Sequence, residues 1–378
     1  MDKINKYFEE FTKNLTFIEL KDKASLDING YIVEANVPMP IITESLLKEV
    51  KEGNIEEEIN LSNVIEGIIY VLGTDTSFQY TGEYIKILKA YNEKIGDYIL
   101  YKGLKSFEEE DFHNSGINYR ALLTIDKENV NALFNYALVL EEIAKGLLTE
   151  EKTEDATEFL MMSTNRLETI LDIDENYSLA YYKLGFHYKF FQQYLKAKLI
   201  WGKFLLLDKD DLRIQEIREE IESIDEDVYF ETGITYLTYN DFGKALDSFL
   251  KLMPKYEKHW NANYLIGLCY KGIEDFDLAI DYLNIAMDLD KEQADVYNEL
   301  GIGYFNMDDI VGAIKVFEKG ILNCPEDYKL YFNRGLGYVQ LGQYELALKD
   351  VEKASTLNPD DENVIIQKSK LKDLLESI

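Results

Sequence analysis

Apolar and polar positions alternate in helical blocks through the last two thirds of the chain. In KLYFNRGLGYVQLG, Tyr331, Arg334, Gly335 and Tyr338 are spaced by three, one and three, which places them on one face of a helix. QYELALKDVEKASTLNPDD carries Tyr344, Ala347, Val351 and Ala354 at helical spacing and stops at Pro359, where a helix cannot continue. Gly342 breaks the chain between the two stretches. Each block therefore predicts a helix–turn–helix hairpin. Gly335 and Ala347 let the two backbones approach closely, and Tyr338 and Tyr344 fill the space around them.

The block repeats. Gly233, Gly267, Gly301 and Gly335 recur every 34 residues; Tyr236, Tyr270, Tyr304 and Tyr338 follow them by three, and Ala245, Ala279, Ala313 and Ala347 by twelve. Such a period marks stacked helical repeats. With each glycine at position 8, the units are 226–259, 260–293, 294–327 and 328–361. Upstream, Gly185 lies 48 residues before Gly233, Ala137 lies 48 before Gly185, and Gly103 lies 34 before Ala137. These give units 178–211, 130–177 and 96–129. Both longer intervals contain 14 extra residues. In 130–177 they fall around KGLLTEEKTEDATE and predict a longer loop or an extension of the helices. In 212–225, Ile214, Ile217, Ile221 and Ile224 have helical spacing and predict an additional amphipathic helix, with a discontinuity in the array. Residues 362–378 predict a capping helix, with Ile365 and Ser369 in the inward register and Lys368, Lys370 and Lys372 on a wet face.

Residues 1–95 do not follow the period. Ile4, Tyr7, Phe8 and Phe11 predict an amphipathic helix within 1–16. LTFIEL and YIVEANV bracket Asn29-Gly30 and predict a short β-hairpin, ended by Pro38 and Pro40. Helices are expected near 43–52, 57–72 and 80–95, with VIEGIIYVLG buried against the first repeat and GTDT at 73–76 a loop. The region either caps the array or forms a separate docking or effector domain; it has no basic recognition helix.

Charge narrows the partners. Forty Lys and Arg against 71 Asp and Glu give a net charge of −31, a field that repels nucleic acid and anionic lipid. Neither is expected as a partner. Two cysteines, Cys269 and Cys324, form no disulfide framework and no metal-ligand spacing. With no apolar leader and no membrane-length apolar run, the expected location is cytoplasmic. The abundance of Lys, Ile, Asn and Tyr points to an AT-rich, bacterial genome. No phosphate-binding loop, dinucleotide fingerprint or nucleophile elbow is present, and His113, His187 and His259 lie in different repeats. The expectation is a non-enzyme with no cofactor and no metal.

The repeat resembles the tetratricopeptide repeat (TPR) family. In 294–327, Tyr297, Leu300, Gly301, Tyr304, Ala313, Phe317 and Pro325 fall at the signature positions. The resemblance implies an all-α fold: a right-handed α-solenoid of helix hairpins, preceded by a small, mainly helical N-terminal region. It also implies that the first helix of each hairpin, helix A, lines a concave face where partners bind. Positions 5, 9 and 12 turn away from the inward stripe, and with the acidic residues beside them they supply the candidate groove: Phe134, Tyr182, Phe186, Phe230, Glu231, Ile234, Tyr264, Leu268, Asn298, Glu299, Ile302, Phe332 and Leu336. Asp227 and Asp295 stand beside it. The position 9 row either faces the groove or packs on the adjacent repeat. An aromatic and aliphatic trough with acidic flanks suits an apolar protein or peptide segment carrying Lys or Arg. The family's carboxylate clamp is poorly matched: Asn135 and Asn333 occupy its asparagine position, but Phe230 and Glu231 stand where basic or polar groups would be needed. The leading expectation is an interaction scaffold. A ligand-gated peptide sensor and a chaperone for an exported or aggregation-prone partner are the alternatives. The sensors that this resembles carry an effector head not recognised in 1–95.

Overall fold

The computed structural model describes residues 3–20, 25–51 and 60–377, in two compact units, Met1–Arg218 and Glu219–Ile378. In the first, helix α1 (Lys3–Glu9) tightens into a 3-10 turn, Glu10–Asn14. The helix expected within 1–16 thus ends early; its first two residues lie outside the described residues. Four short strands follow: β1 (Leu15–Ile18), β2 (Ser25–Ile28), β3 (Tyr31–Glu34) and β4 (Met39–Ile42).

The hairpin is β2–β3 rather than LTFIEL with YIVEANV. Asn29 and Gly30 both have positive φ, 51° and 88°, which makes a two-residue turn and fixes Ile28 opposite Tyr31. LTFI then pairs antiparallel with MPII, Leu15 opposite Ile42. Pro40 does not end the strand; it lies in β4 opposite Phe17. Each strand of a two-stranded ribbon has one side without a ladder partner, and a proline nitrogen can face that side.

Helices α2 (Thr43–Lys51), α3 (Leu61–Thr74) and α4 (Thr81–Tyr91) occupy the three expected stretches. Residues 52 and 57–59 of those expectations lie outside the described residues. Asn60 caps α3 through its side chain, and every residue from Gly67 to Thr74 is buried. Two glycines permit this depth. A Cβ on Gly67 would lie 2.0 Å from the Pro40 carbonyl oxygen, and one on Gly73 would lie 2.0 Å from that of Ile117. Gly73 and Thr74 are helical, so GTDT is a loop only from Asp75 onward.

Three hairpins complete this unit: α5 (Ile95–Glu108) with α6 (Phe112–Ile125), α7 (Val130–Thr149) with α8 (Thr153–Ile173), and α9 (Ser178–Phe190) with α10 (Tyr194–Leu207). The 14 extra residues lengthen α7 and α8 and make no long loop; Glu151, at φ 61°, turns the chain between them. The extension is stabilised by burial of Ile143, Ala144, Ala156 and Phe159 in one core with Ile4 and Phe8 of α1. Helix α11 (Asp211–Ser223) follows, with Ile217 fully buried, and the division between units falls within it.

The second unit holds α12 (Asp225–Thr238), α13 (Phe242–Leu250), the one-turn α14 (Met253–Tyr256), α15 (Trp260–Gly272), α16 (Phe276–Leu289), α17 (Ala294–Asn306), α18 (Ile310–Asn323), α19 (Tyr328–Gln340), α20 (Tyr344–Leu357) and α21 (Glu362–Ser377). Its core is a series of separate clusters, around Phe249 and Ile266, around Leu283 and Phe317, and around Val351 and Leu371. Such a series is what nearest-neighbour stacking produces. On α21 the buried residues are Val364 and Leu371, while Ile365 and Ser369 are exposed, so the expected register is corrected. This last helix packs against α20 through Val364 and Leu371.

The turns between paired helices share one construction. Glu110, Gln192, Asn240, Glu274, Asp308 and Gly342 hold the same repeat position, and all have φ between 58° and 71°. At the next position, Asp111, Asp241, Asp275 and Asp309 accept a hydrogen bond from a backbone N–H of the following helix's first turn. A left-handed residue reverses the chain and an aspartate starts the second helix.

Candidate functional site: the face of the A helices

The recurring glycine sets the rotation of helix A. Wherever the repeat carries it, it faces a helix B side chain: Gly103 meets Tyr119, Gly185 Trp201, Gly233 Phe249, Gly267 Leu283, Gly301 Phe317 and Gly335 Val351; in α7–α8 the position is Ala137, opposite the smaller Ser163. A Cβ on Gly301 would lie 2.3 Å from the Phe317 ring. Successive A helices then touch along the second unit, α15 with α17 and α17 with α19.

In the first unit, the candidate rings largely cover helix B. Phe134 packs on Tyr177 at 5.4 Å between centroids. Tyr182 packs on Phe186 and Phe204, and its hydroxyl donates to Glu216 at 2.9 Å. Phe186 meets the buried Trp201 edge-on at 5.1 Å.

In the second unit, Ile234 belongs to the Phe249 core, Tyr264 packs beside Trp260 into the next core, and Phe332 joins the Val351 core. Burial pushes the Tyr264 phenol above its ordinary range, and the Glu299 and Asp295 charges push it further. Leu268, Ile302 and Leu336 are half-buried, as is Glu231. Asn298 is 5% exposed; it donates to Asp327 and accepts from Asn333 at 3.0 Å. Lys271 donates to Glu299 on the neighbouring A helix, and Lys329 stands 3.6 Å from Asp295.

An open aromatic trough is therefore not what these residues make. Among the thirteen candidates only Phe230 is exposed, at 43%. The other apolar groups are half consumed by packing, and a polar ladder runs between the A helices through Lys271–Glu299 and Asp327–Asn298–Asn333. Sequence reasoning missed the ladder because its partners come from successive repeats. The available signal was the coincidence of asparagine at one position of 294–327 with asparagine at the next position of 328–361.

At Phe230 there is a built recess. A cavity of about 190 Å³ is lined by Phe230, Phe249, Leu252 and Leu265, with Glu226 and Asp227 at its rim. Glu226 is occupied: Lys255 donates to both its oxygens at 2.9 Å and Tyr256 to one at 2.8 Å, and these bonds hold its carboxyl below the usual range. Asp227 is exposed and makes no hydrogen bond or contact ion pair among the described residues, although its charge reaches Lys255. An apolar hole beside an exposed carboxylate can take an apolar side chain next to a cation.

Another polar constellation is structural in form. His187 bonds Glu141 at 3.0 Å and Thr164 at 2.9 Å, while Lys183 donates to the other Glu141 oxygen at 2.6 Å. The order Thr–His–Glu has the connectivity of a nucleophilic triad. All three are buried, however, and the Thr164 hydroxyl also lies 2.8 Å from the Leu160 carbonyl. Among the described residues, no His, Cys, Asp and Glu group could hold a metal, and no helix is long and apolar enough to cross a membrane.

Residues 261–293 and 328–361 each match a family model described as tetratricopeptide repeat. With the same glycine-on-helix-B contact in the hairpins on either side of them, the assignment follows. The chain carries tetratricopeptide repeats. No curated protein matches it. Among solved structures, this TPR protein is similar to the first TPR of Spaghetti (RPAP3) bound to HSP90 peptide SRMEEVD. That match has 22% identity over 31% of this chain and 93% of that one, with a TM-score of 0.30. It is also similar to YrrB, a TPR protein with an unusual peptide-binding site, at 18% identity over 66% and 97%, with a TM-score of 0.28. A third, MamA AMB-1, is 20% identical over 50% and 96%, with a TM-score of 0.36.

Proposed function

We propose that this TPR protein is a non-enzymatic interaction scaffold that holds a protein or peptide segment on the face of its A helices, anchored in the Phe230 recess. The recess carries the reading. It is a place on that face where an exposed aromatic, an apolar cavity and an exposed carboxylate coincide. Its chemistry selects a segment with an apolar residue adjacent to Lys or Arg, which supports the partner character expected from the acidic flanks. The −31 net charge adds attraction for a basic segment and speeds its encounter.

Affinity capture from cell extract with wild type, Phe230→Ala, Asp227→Lys and Leu322→Ala tests this. Leu322 is 82% exposed on α18, a helix B, and serves as the control. The expected result is one partner lost with both Phe230→Ala and Asp227→Lys and retained with Leu322→Ala. Its bound segment, made as a synthetic peptide, then binds wild type and not Phe230→Ala. Retention of every partner by both recess variants refutes the reading. Tyr264→Ala is a poorer probe because that ring belongs to a core. Capture of a single short peptide would support a sensor, and capture of an unfolded export substrate a chaperone.

A further inference from the structure

The first unit contains a cavity of about 680 Å³ whose chemistry opposes that of the chain as a whole. Acidic residues outnumber basic ones 71 to 40, yet among the described residues lining this cavity none carries a carboxylate and three are cationic: Arg120, Lys127 and Arg166. Thr76 and Tyr136 add hydroxyl groups, while the Thr124 hydroxyl is donated to the Arg120 carbonyl at 2.9 Å.

Arg120 is the central observation. It is 7% exposed, and a charge so buried ordinarily has a counter-ion. Its partners are all neutral: Nε donates to the Gly73 carbonyl at 2.6 Å, one terminal nitrogen to Asn5 at 2.9 Å, and the other approaches the Tyr136 hydroxyl at 3.4 Å. The Phe8 ring lies 4.5 Å from the guanidinium carbon. These contacts fix the group in place and leave its charge uncompensated. Arg166, on α8, has a buried Nε with no hydrogen-bond partner among the described residues. The acids on that helix that carry an ion pair are held by other groups: Glu168 by Lys196 at 3.3 Å, and Asp155 and Glu158 by Lys3 at 3.1 and 3.0 Å.

We infer that this cavity binds a small phosphorylated molecule, with Arg120 at its floor and Arg166 and Lys127 meeting the phosphoryl oxygens. The volume lies within the range of small-molecule sites. Guanidinium forks and hydroxyls suit a phosphoryl dianion, and three cations exceed what one carboxylate would need. The site is separate from the Phe230 recess and does not depend on the scaffold reading. The −31 field opposes unspecific anion binding, so saturable binding here would report local design.

The test is calorimetric titration of the full chain with pyrophosphate and with inorganic phosphate, against sodium chloride at matched ionic strength. Thermal melts run alongside. The expected result is saturable binding of pyrophosphate, weakened at least about tenfold by Arg166→Gln and by Lys127→Gln, since each loses a charge-assisted bond. Lys258→Gln, an exposed cation of the second unit, should leave it unchanged. Arg120→Gln is avoided as the main probe because it breaks the bond to Gly73, and circular dichroism confirms the fold of the variants used. Absence of binding beyond chloride, binding undiminished in Arg166→Gln and Lys127→Gln, or equal weakening by Lys258→Gln would each overturn the proposal. So would binding seen with a phosphoserine peptide and not with pyrophosphate.

Discussion

Replacing glycine by alanine should have opposite effects at two places in one hairpin. At Gly185 on α9, the new Cβ would lie 2.0 Å from Nε1 and 2.3 Å from Cδ1 of Trp201. That indole is fully buried, and its N–H donates to the Tyr182 carbonyl at 3.2 Å. Contact at ordinary van der Waals distance requires the ring to move by more than an ångström within a filled core. Overpacking of this kind costs about 1–3 kcal/mol, and losing the indole bond costs about 1 kcal/mol. Alanine's higher helix propensity returns about 1 kcal/mol, leaving a net loss of about 1–3 kcal/mol. At Gly202 on α10, nothing lies within 4 Å of the added Cβ. Only the propensity remains, and Gly202→Ala should stabilise by about 0.5–1 kcal/mol.

The two tryptophans allow a clean assay. Trp201 reports the first unit and Trp260 the second, so a Trp260→Phe background isolates the relevant transition. Separate units need not unfold together, and a single whole-chain midpoint would blur the result. Urea midpoints from Trp201 fluorescence, at unchanged m, should fall for Gly185→Ala and rise for Gly202→Ala. Shifts of the same sign, or a neutral Gly185→Ala, would refute the claim that the repeated glycine exists to admit the helix B ring.

Gly335 faces the smaller Val351 at 3.0 Å, so Gly335→Ala should be milder than Gly301→Ala, within about 1 kcal/mol of wild type in urea melts. Gln192→Gly and Glu274→Gly relieve left-handed backbone at φ 58° and 66° and should stabilise by about 0.5–1 kcal/mol, since the strain relieved exceeds the unfolded-state entropy added. Burial opposes the charge of Glu141, but the hydrogen bond from His187 and the charge of Lys183 outweigh it and hold its carboxyl below the ordinary 4.5. A depressed carboxyl stabilises fully above its unfolded value and ceases to do so as pH falls through the folded one. Glu141→Gln should therefore lower stability by about 3 kcal/mol at pH 7 and flatten the acid limb below pH ~4.5 in pH-dependent melts. Burial pushes the Cys269 thiol up to about 12, and burial with the Asp327 charge raises the partly exposed Cys324 as well, so thiol reagents at pH 8 should label Cys324 slowly and leave the buried Cys269 unmodified until the protein unfolds.

What was legible in the sequence depended on whether the causes lay within one repeat. Gly301 and Phe317 belong to the same hairpin, so their spacing recurs and the pairing of helices follows from it. The left-handed turn residue also has a fixed position, but only Gly342 advertises it; Gln192 and Asp308 adopt the same backbone without the residue type that would reveal it. The aspartates that cap the second helices were equally periodic and were the stronger signal. Across repeats the logic fails. Tyr264 has the residue type of an exposed ligand contact, yet the next hairpin's core takes its ring, and Asn298 is buried because Asn333 and Asp327 satisfy it from the following unit. Helix periodicity assigns a face; it does not say how much of that face the neighbour covers. Phe230 remains exposed because helix B of its hairpin is only nine residues long, followed by the separate turn at Met253–Tyr256, and that break opens the recess lined by Phe249 and Leu252. Arg120 illustrates the same limit in the N-terminal unit. Nothing in its neighbourhood along the chain distinguishes it, and its buried, uncompensated charge arises only when α1, α3 and α7 bring Asn5, Gly73 and Tyr136 around it. The regular part of the repeat thus specifies the scaffold, and the chemistry available to a ligand sits where the regularity fails.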